Sequence, residues 1–304
     1  MNQDHRYTLE PYKTPKSRFH CPQCNDKIRT FSRYIDTQTL EYLGDTVGKC
    51  SREHNCGYHY KPHQYFANHI EAGIVTAHHN DTPLPLIQAS IIPGEDVAKT
   101  LNNYHNNNLV LWLRTMFCDE QAIELVNRYC IGTSDNWPGA TIFWQIDKDG
   151  KARTGKIMLY NSSTGKRVKE PFNHIHWVHK LKYAGFYLKQ CLFGEHLLHD
   201  EPDKPVAIVE SEKTALIASH YLPDFVWLAT GSLHNLSAEK CQVLKGRKVV
   251  LFPDVNAYTQ WQQKATALQL LINKTRFEVS DFLELNATEQ QRKQSWDLGD
   301  YLAG

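Results

Sequence analysis

The chain has 304 residues, 41% of them hydrophobic and 22% charged, with a formal net charge of +1. That is the make-up of an ordinary globular protein with room for two or three domains, and it excludes a uniformly basic coat for nucleic acid. No apolar stretch approaches the roughly 20 residues needed to span a bilayer, and Met1-Asn-Gln-Asp-His5 is polar, so a cytoplasmic location without membrane contact is expected.

Eight cysteines do not suggest a disulfide framework in a chain of this size, and the four that cluster lie near the start. Cys21-Pro-Gln-Cys24 and Cys50-Ser-Arg-Glu-His-Asn-Cys56 form two close pairs separated by 25 residues. Two such pairs on tight turns let four thiolates converge tetrahedrally on Zn²⁺, with Phe31–Ile35 and Leu40–Leu43 as ribbon strands. The second pair is wider than usual, and His54 and His59 lie nearby, so a Cys₃His set is an alternative; a redox thiol pair is another. Four protein ligands would leave no open position for water, which makes the zinc structural, and so small a piece needs the metal for stability. Lys16, Arg18, Lys27, Arg29, Arg33, Lys49 and Arg52, interleaved with Phe19, Phe31, Tyr34, Tyr58 and Tyr60, suit phosphates and unpaired bases. The same aromatics serve equally well as the ribbon's own core.

His78-His-Asn-Asp-Thr-Pro-Leu-Pro85 has two prolines and no periodicity, which marks a linker. Helices are expected over Asp96–His105, Leu109–Phe117 and Asp119–Tyr129, the last capped by Asp119. From Ala140 the pattern becomes β: Thr141–Ile146, a turn at Asp147-Lys-Asp-Gly150, then Thr154–Tyr160. Gly150-Lys-Ala-Arg-Thr-Gly155-Lys156 imitates a P-loop, but Ile157 replaces the metal-binding Ser/Thr and the segment continues as a strand, which excludes an NTPase motor. Between Gln145 and Lys189 there are ten Lys/Arg against three Asp/Glu, a local net of +7; from Asp200 onward there are 11 against 14, a net of −3. A basic middle beside an acidic end suits an enzyme that handles a polyanion, the alternative being a solvated charged face. His174 and His176 are expected to be packed or hydrogen-bonded, and Leu192–Leu198 to form a short helix or turn.

Three short apolar runs then each stop at polar residues. Val206-Ala-Ile-Val209 stops at Glu210, Val226-Trp-Leu-Ala229 at Thr230-Gly231-Ser232, and Val249-Val-Leu-Phe252 at Pro253-Asp254-Val255-Asn256. Continuous runs of this length read as strands buried on both faces, and the helical segment Glu212–Tyr221 between the first two makes a βαβ unit with parallel strands. Ligands gather beyond the carboxyl ends of such strands. Glu210 and Asp254 are therefore expected on one rim, where with Asn256 they could hold a hard cation such as Mg²⁺ through oxygen ligands; a helix N-cap is the alternative for each acid. A helix over Tyr258–Asn273 and a strand at Phe277-Glu-Val279 follow. In the closing Trp296–Leu302, Asp297 and Asp300 share a helical face and could point back at the rim, with capping the simpler reading of Asp297.

Ile208-Val-Glu-Ser-Glu-Lys-Thr-Ala215, Ala229-Thr-Gly-Ser232 and Leu251-Phe-Pro-Asp-Val-Asn-Ala257 together resemble the Toprim domain of DnaG-type primases, topoisomerases and related nucleases, over about a third of the chain. Glu210 matches the glutamate of that family and Asp254 the first aspartate of its Asp-x-Asp. Asn256 stands where the second aspartate belongs; it offers a carbonyl oxygen but no charge, which lowers metal affinity and weighs against a mechanism needing two fully charged metal sites. Asp297 with Asp300 resembles the Asp-x-x-Asp near the end of Toprim units. The hairpin bearing Arg153 and Lys156, with Lys166, Arg167 and Lys169 after it, resembles the strand pair that precedes Toprim in DnaG-type primases, where basic residues face the template and the incoming nucleotide. Those primases also begin with a zinc-binding module, usually with a histidine in its first pair.

The resemblance implies an α/β architecture: a zinc-ribbon-like module at 1–75, a linker at 76–95, an α+β primase-like subdomain at 96–200 and a Rossmann-like βαβ Toprim domain at 201–304. It implies a DNA primase-like nucleotidyltransferase of the kind found on mobile elements, making short primers on single-stranded DNA for replication, with a separate replicative helicase as a further partner. In that scheme structural Zn²⁺ sits on Cys21, Cys24, Cys50 and Cys56, and the zinc module contacts single-stranded DNA. Mg²⁺ or Mn²⁺ is bound by Glu210, Asp254, Asn256 and Asp297, Glu210 assists proton transfer, and Lys213 meets a phosphate of the nucleotide. The alternatives are a Toprim nuclease acting through the same rim, and a single-stranded DNA-binding protein that has lost turnover, for which Asn256 is the argument.

Overall fold

Short strands that cannot stand alone need something to hold them, and the first part of the chain supplies it with thiols. The structure is a computed structural model that describes residues 6–24, 27–52, 56–70 and 89–304. The expected linker segment His78–Pro85 and His54 lie outside the described residues. The chain divides into two compact units, Met1–Pro85 and Leu86–Gly304. In the first, β1 (Tyr7–Leu9), β2 (Phe31–Asp36), β3 (Gly48–Cys50) and β4 (His59–Tyr60) pair antiparallel in that order, and α1 (Pro62–Ile70) follows. Its buried core is Cys21, Phe31 and Cys50, with Phe19 and Tyr58 packed against them.

The expected ribbon strand at Leu40–Leu43 does not form. Leu40 takes a left-handed φ of 60° and lies exposed in a turn, and only Tyr42 bridges back to Ile35. The partner of β2 is instead β3, where a glycine is required: a Cβ at Gly48 would collide with the Ser32 carbonyl and the Phe31 ring.

The second unit opens with three helices, α2 (Gly94–Ala98), α3 (Asn108–Met116) and α4 (Asp119–Arg128). The helix expected over Asp96–His105 is cut short, and the chain turns at Asn103 with φ 57°. Asp119 is the first residue of α4 and not its cap, a position held by Cys118; Asp119 complements the helix dipole there and pairs with Arg114 at 2.8 Å. An antiparallel sheet follows in sequential order, β5 (Ile131–Ser134), β6 (Ala140–Ile146), β7 (Ala152–Met158) and β8 (Ile175–Trp177). Every residue of β6 is buried, since its two faces serve two cores. Ile142, Trp144 and Ile146 pack with Ile92, Ile157 and Val178 on one side, while Phe143 joins the main core on the other.

After α5 (Val178–Lys182) and α6 (Leu197–Asp200) come β9 (Val206–Val209), α7 (Glu212–Tyr221), β10 (Val226–Ala229), α8 (Ala238–Cys241), β11 (Lys248–Leu251), α9 (Tyr258–Leu271) and β12 (Arg276–Val279). Three short helices close the chain: α10 (Phe282–Asn286), α11 (Glu289–Lys293) and α12 (Leu298–Ala303). The four strands pair in parallel in the order β10-β9-β11-β12. β9 and β10 are buried throughout, as expected for strands covered on both faces. From β9 the chain steps outward to β10 and then crosses to β11 on the other side. The crevice between the carboxyl ends of β9 and β11 is thus the topological switch point, where open parallel sheets place their ligands. One hydrophobic core joins the two sheets, running from Leu109 and Tyr129 through Phe143 and Phe193 to Trp227 and Trp261, and the Tyr129 hydroxyl donates to the Trp227 carbonyl at 3.1 Å. The fold is a mixed α/β arrangement with several sheets, and no helix among the described residues is long and apolar enough to cross a membrane.

Candidate active site

The acids expected on the rim are not helix caps. Ser211 caps α7 and Ala257 precedes α9, so Glu210 and Asp254 stand in the turns between strand and helix at the switch point. The last helix joins them there. Asp297 caps α12 in a reciprocal capping box, its Oδ1 accepting the Asp300 N–H at 2.8 Å. Its other oxygen, Oδ2, accepts the Thr214 hydroxyl of α7 at 2.5 Å. The Val255 N–H donates to the Trp296 carbonyl at 3.0 Å, tying the Asp254 turn to the start of α12. Asp297 therefore fulfils the capping role and borders the rim as well.

These groups act on one another electrostatically. Burial, and then the negative charges of Asp297, Glu210 and Asp300, push the Asp254 carboxyl up to about 8. Asp300 is raised by burial and by Asp297, against the opposing pull of Lys213, whose Nζ lies 3.8 Å away, and of Lys166. Four carboxylates from three segments share one field, and Lys213 borders it, held by the Gly165 carbonyl at 3.4 Å with its ammonium over the Trp112 ring.

Asn256 differs from these. It adopts a left-handed φ of 68°, is exposed, and donates its amide N–H to the Arg292 carbonyl at 3.1 Å. That bond leaves its Oδ1 and its second amide N–H for other contacts.

The basic residues part company. β7 is irregular where it pairs with β6 near Gln145 and Ile146, and Arg153 and Lys156 end in different places. Arg153 donates from Nε to Asp147 at 2.7 Å, inside a cavity by the hairpin turn. Lys156 lies buried and donates to both oxygens of Glu212 at 3.0 Å each. Gly231 closes over that pair. Its φ of 76° suits glycine, and a Cβ there would lie 3.1 Å from Glu212 Oε1 and 3.5 Å from Lys156 Nζ. Since the Gly231 N–H also donates to the Glu210 carbonyl at 2.8 Å, the ion pair and the acidic rim are one residue apart. Lys166 and Arg167 are exposed beyond the Asn161–Gly165 turn. His174 and His176 belong to packing, His174 being buried and stacked on Phe172 at 4.3 Å. Glu212 was the residue that sequence reasoning overlooked. The signal was a charged residue opening a helix whose next residues, Thr214 to Ser219, are all buried.

In the first unit, Cys21, Cys24, Cys50 and Cys56 bring their sulfurs within 4.8 Å of one another. Among the described residues this is the only set of three or more Cys, His, Asp or Glu so closely gathered; the rim carboxylates are more open. Four soft thiols at this spacing suit Zn²⁺. His59 is hydrogen-bonded to the Tyr34 hydroxyl at 2.9 Å and is outside the set. Phe31 is fully buried beneath the cysteines, so that aromatic is core.

Two family models match the chain: a zinc beta-ribbon finger over residues 5–71, and a domain of unknown function, DUF6371, over residues 107–255. No curated protein sequence matches it. Among solved structures, the chain is similar to the primase fragment of the bacteriophage T7 primase-helicase protein, at 12% identity over 92% of this chain and 98% of that one, with a TM-score of 0.39. It is similar to the RNA polymerase domain of Mycobacterium tuberculosis primase DnaG, at 10% identity over 66% and 80%, TM-score 0.43. The zinc-binding and RNA polymerase domains of Aquifex aeolicus primase align at 13% identity over 94% and 79%, TM-score 0.39.

Proposed function

We propose that this protein is a DNA primase-like nucleotidyltransferase that makes short primers on single-stranded DNA. In this reading residues 201–304 are a Toprim domain, residues 96–200 are the subdomain that holds template and nucleotide, and the zinc ribbon contacts single-stranded DNA through its basic residues. The setting is replication of a mobile element beside a separate helicase. The observation that carries the reading is the gathering of Glu210, Asp254, Asp297 and Asp300 at the β9–β11 crevice, next to a strand that delivers Lys156.

That donor set fits a hard divalent cation: its ligands are carboxylate oxygens, and Asp254, raised by burial and then by its acidic neighbours, is a carboxyl that a cation would return to its charged form. Glu210, Asp254 and Asp297 would hold Mg²⁺ or Mn²⁺, with Asn256 Oδ1 as a weaker neutral donor. Bound there, the ion neutralises triphosphate charge and favours in-line attack on the α-phosphate. The chain's own groups do the rest. Glu210 accepts the proton of the attacking 3′-hydroxyl, Lys213 and Lys166 present positive charge along the rim, and Glu212 holds Lys156 in place through both its oxygens.

A second reading, a single-stranded DNA-binding protein without turnover, is favoured by Asn256, whose amide N–H is already engaged by Arg292. A primer-synthesis assay on single-stranded template, with ribo- or deoxynucleotides and Mg²⁺ or Mn²⁺, separates the two. Short products are expected from the wild type, none from Glu210→Gln, and equal or greater yield from Asn256→Asp. Undiminished synthesis by Glu210→Gln would remove that residue from the chemistry. Strand cleavage without nucleotides would make the protein a nuclease. Salt-dependent DNA binding with neither activity would leave the second reading.

A further inference from the structure

Arg153, expected beside the nucleotide, extends its half-buried guanidinium into a cavity of about 330 Å³ between the β6–β7 hairpin, the segment from Lys189 to Glu195, and α8 with the turn after it. That size is at the lower end of small-molecule sites, about 300–1,000 Å³. Basic and acidic side chains line it in equal number, four of each. A balanced wall gives a phosphate little preference over water and instead suits a neutral, planar ligand rich in donors and acceptors.

The polar groups are fixed in place. Glu195, 5% exposed, accepts the Lys148 N–H at Oε1 (3.3 Å) and the Leu192 N–H at Oε2 (3.1 Å), and each oxygen keeps capacity for a second donor. Arg153 is anchored through Nε by Asp147, which leaves its terminal N–H groups for a ligand. Lys240 donates to Gln190 Oε1 at 3.2 Å and has no carboxylate within ion-pair distance among the described residues.

The cavity and the Lys156–Glu212 pair lie along one strand, β7. Arg153 and Lys156 are three residues apart on β7, about 10 Å at the usual rise of a strand, a span that a ribose and its phosphates bridge. Glu212, the partner of Lys156, is among the charges that act on Lys240.

We infer that this cavity is a nucleobase subsite that selects guanine, with Glu195 accepting from N1–H and the 2-amino group and Arg153 and Lys240 donating to O6 and N7. The inference rests on the nucleotide reading of the rim. Guanine is the base that sets a pair of donors next to a pair of acceptors in this order; adenine would turn its amino group towards the cations and offer the carboxylate no donor pair.

The test is calorimetric titration of the full chain, at fixed Mg²⁺, with GTP, ATP and inorganic tripolyphosphate. GTP is expected to bind about ten- to a hundredfold more tightly than ATP. Glu195→Gln and Lys240→Met should each erase that difference while leaving tripolyphosphate affinity unchanged, which also shows that the variants are folded. Equal affinities for GTP and ATP in the wild type, with tripolyphosphate still bound, would overturn the guanine subsite and spare the rim. Failure of all three ligands to bind would overturn both.

Discussion

Lys156 and Glu212 act as a unit because neither ion is tolerable alone where it lies. They are 8% and 2% exposed, and Gly231 seals them from above. Removing one partner leaves the other as a buried charge, whereas removing both leaves only a packing defect. Lys156→Met is therefore expected to destabilise the protein by about 3–5 kcal/mol, and Lys156→Met with Glu212→Leu to recover most of that loss, as read by urea denaturation near neutral pH. A single-variant loss below about 1 kcal/mol would mean that water screens the pair as it does at a surface, and Glu212 would then have no role in holding Lys156 in place.

Among the elements, the zinc ribbon depends most on a few atoms. Its strands run to three, six, three and two residues, and two of the three side chains in its buried core are cysteines. Without the metal those thiols have nothing to converge on, and so little apolar surface cannot hold the sheet. Elemental analysis is expected to find one zinc per chain. Chelation should open residues 6–70 to proteolysis while residues 89–304 stay resistant; a ribbon that resists proteolysis after losing its metal would show that its strands are held by packing alone. The parallel strands β9, β10 and β11 and the helix α7 were legible in the sequence almost to the residue, since burial on both faces forces an unbroken apolar run and a break in that run marks the end. The position of Glu210 and Asp254 after the ends of neighbouring strands was legible for the same reason. Other features were not, because they are set between segments distant in the chain. The partner of β2 is chosen by the clearance at Gly48, and Arg153 and Lys156 part because one meets Asp147 in the hairpin turn and the other Glu212 on α7. Glu212 gains its meaning from a lysine 56 positions earlier. Asp297 read both as a helix cap and as an acid pointing back at the rim; it is a cap, and the contact of α12 with α7 through Thr214 is what the sequence did not show.

At the scale of the whole molecule, a cluster of acids without its cation should make stability depend on pH in the direction opposite to that of an ordinary paired carboxylate. Asp254 is raised from 3.8 to about 8 in the folded state, so between those values the folded chain holds a proton that the unfolded chain has lost. Stability then falls as pH rises through the folded value. Other groups bound the useful window. Burial lowers His179 and His196, whose contribution runs the other way below about pH 6.5, while burial raises the Cys191 and Cys241 thiols, which contribute above about pH 9. Between these limits the slope comes from the acidic rim together with Glu195, which burial also raises. In buffer free of Mg²⁺ and Mn²⁺, with the ribbon's zinc retained, the melting temperature is expected to drop from about pH 6.5 to about pH 8.5. Mg²⁺ should displace the Asp254 proton, and its stabilising effect should therefore be larger at the upper end of the window than at the lower. Asp297→Asn keeps a capping oxygen but removes one of the charges that raise Asp254, so it should flatten the slope and weaken the Mg²⁺ effect together. A melting temperature that is level across the window and indifferent to Mg²⁺ in the wild type would mean that the carboxylates do not share one field, and the case for a catalytic cation at the switch point would go with it.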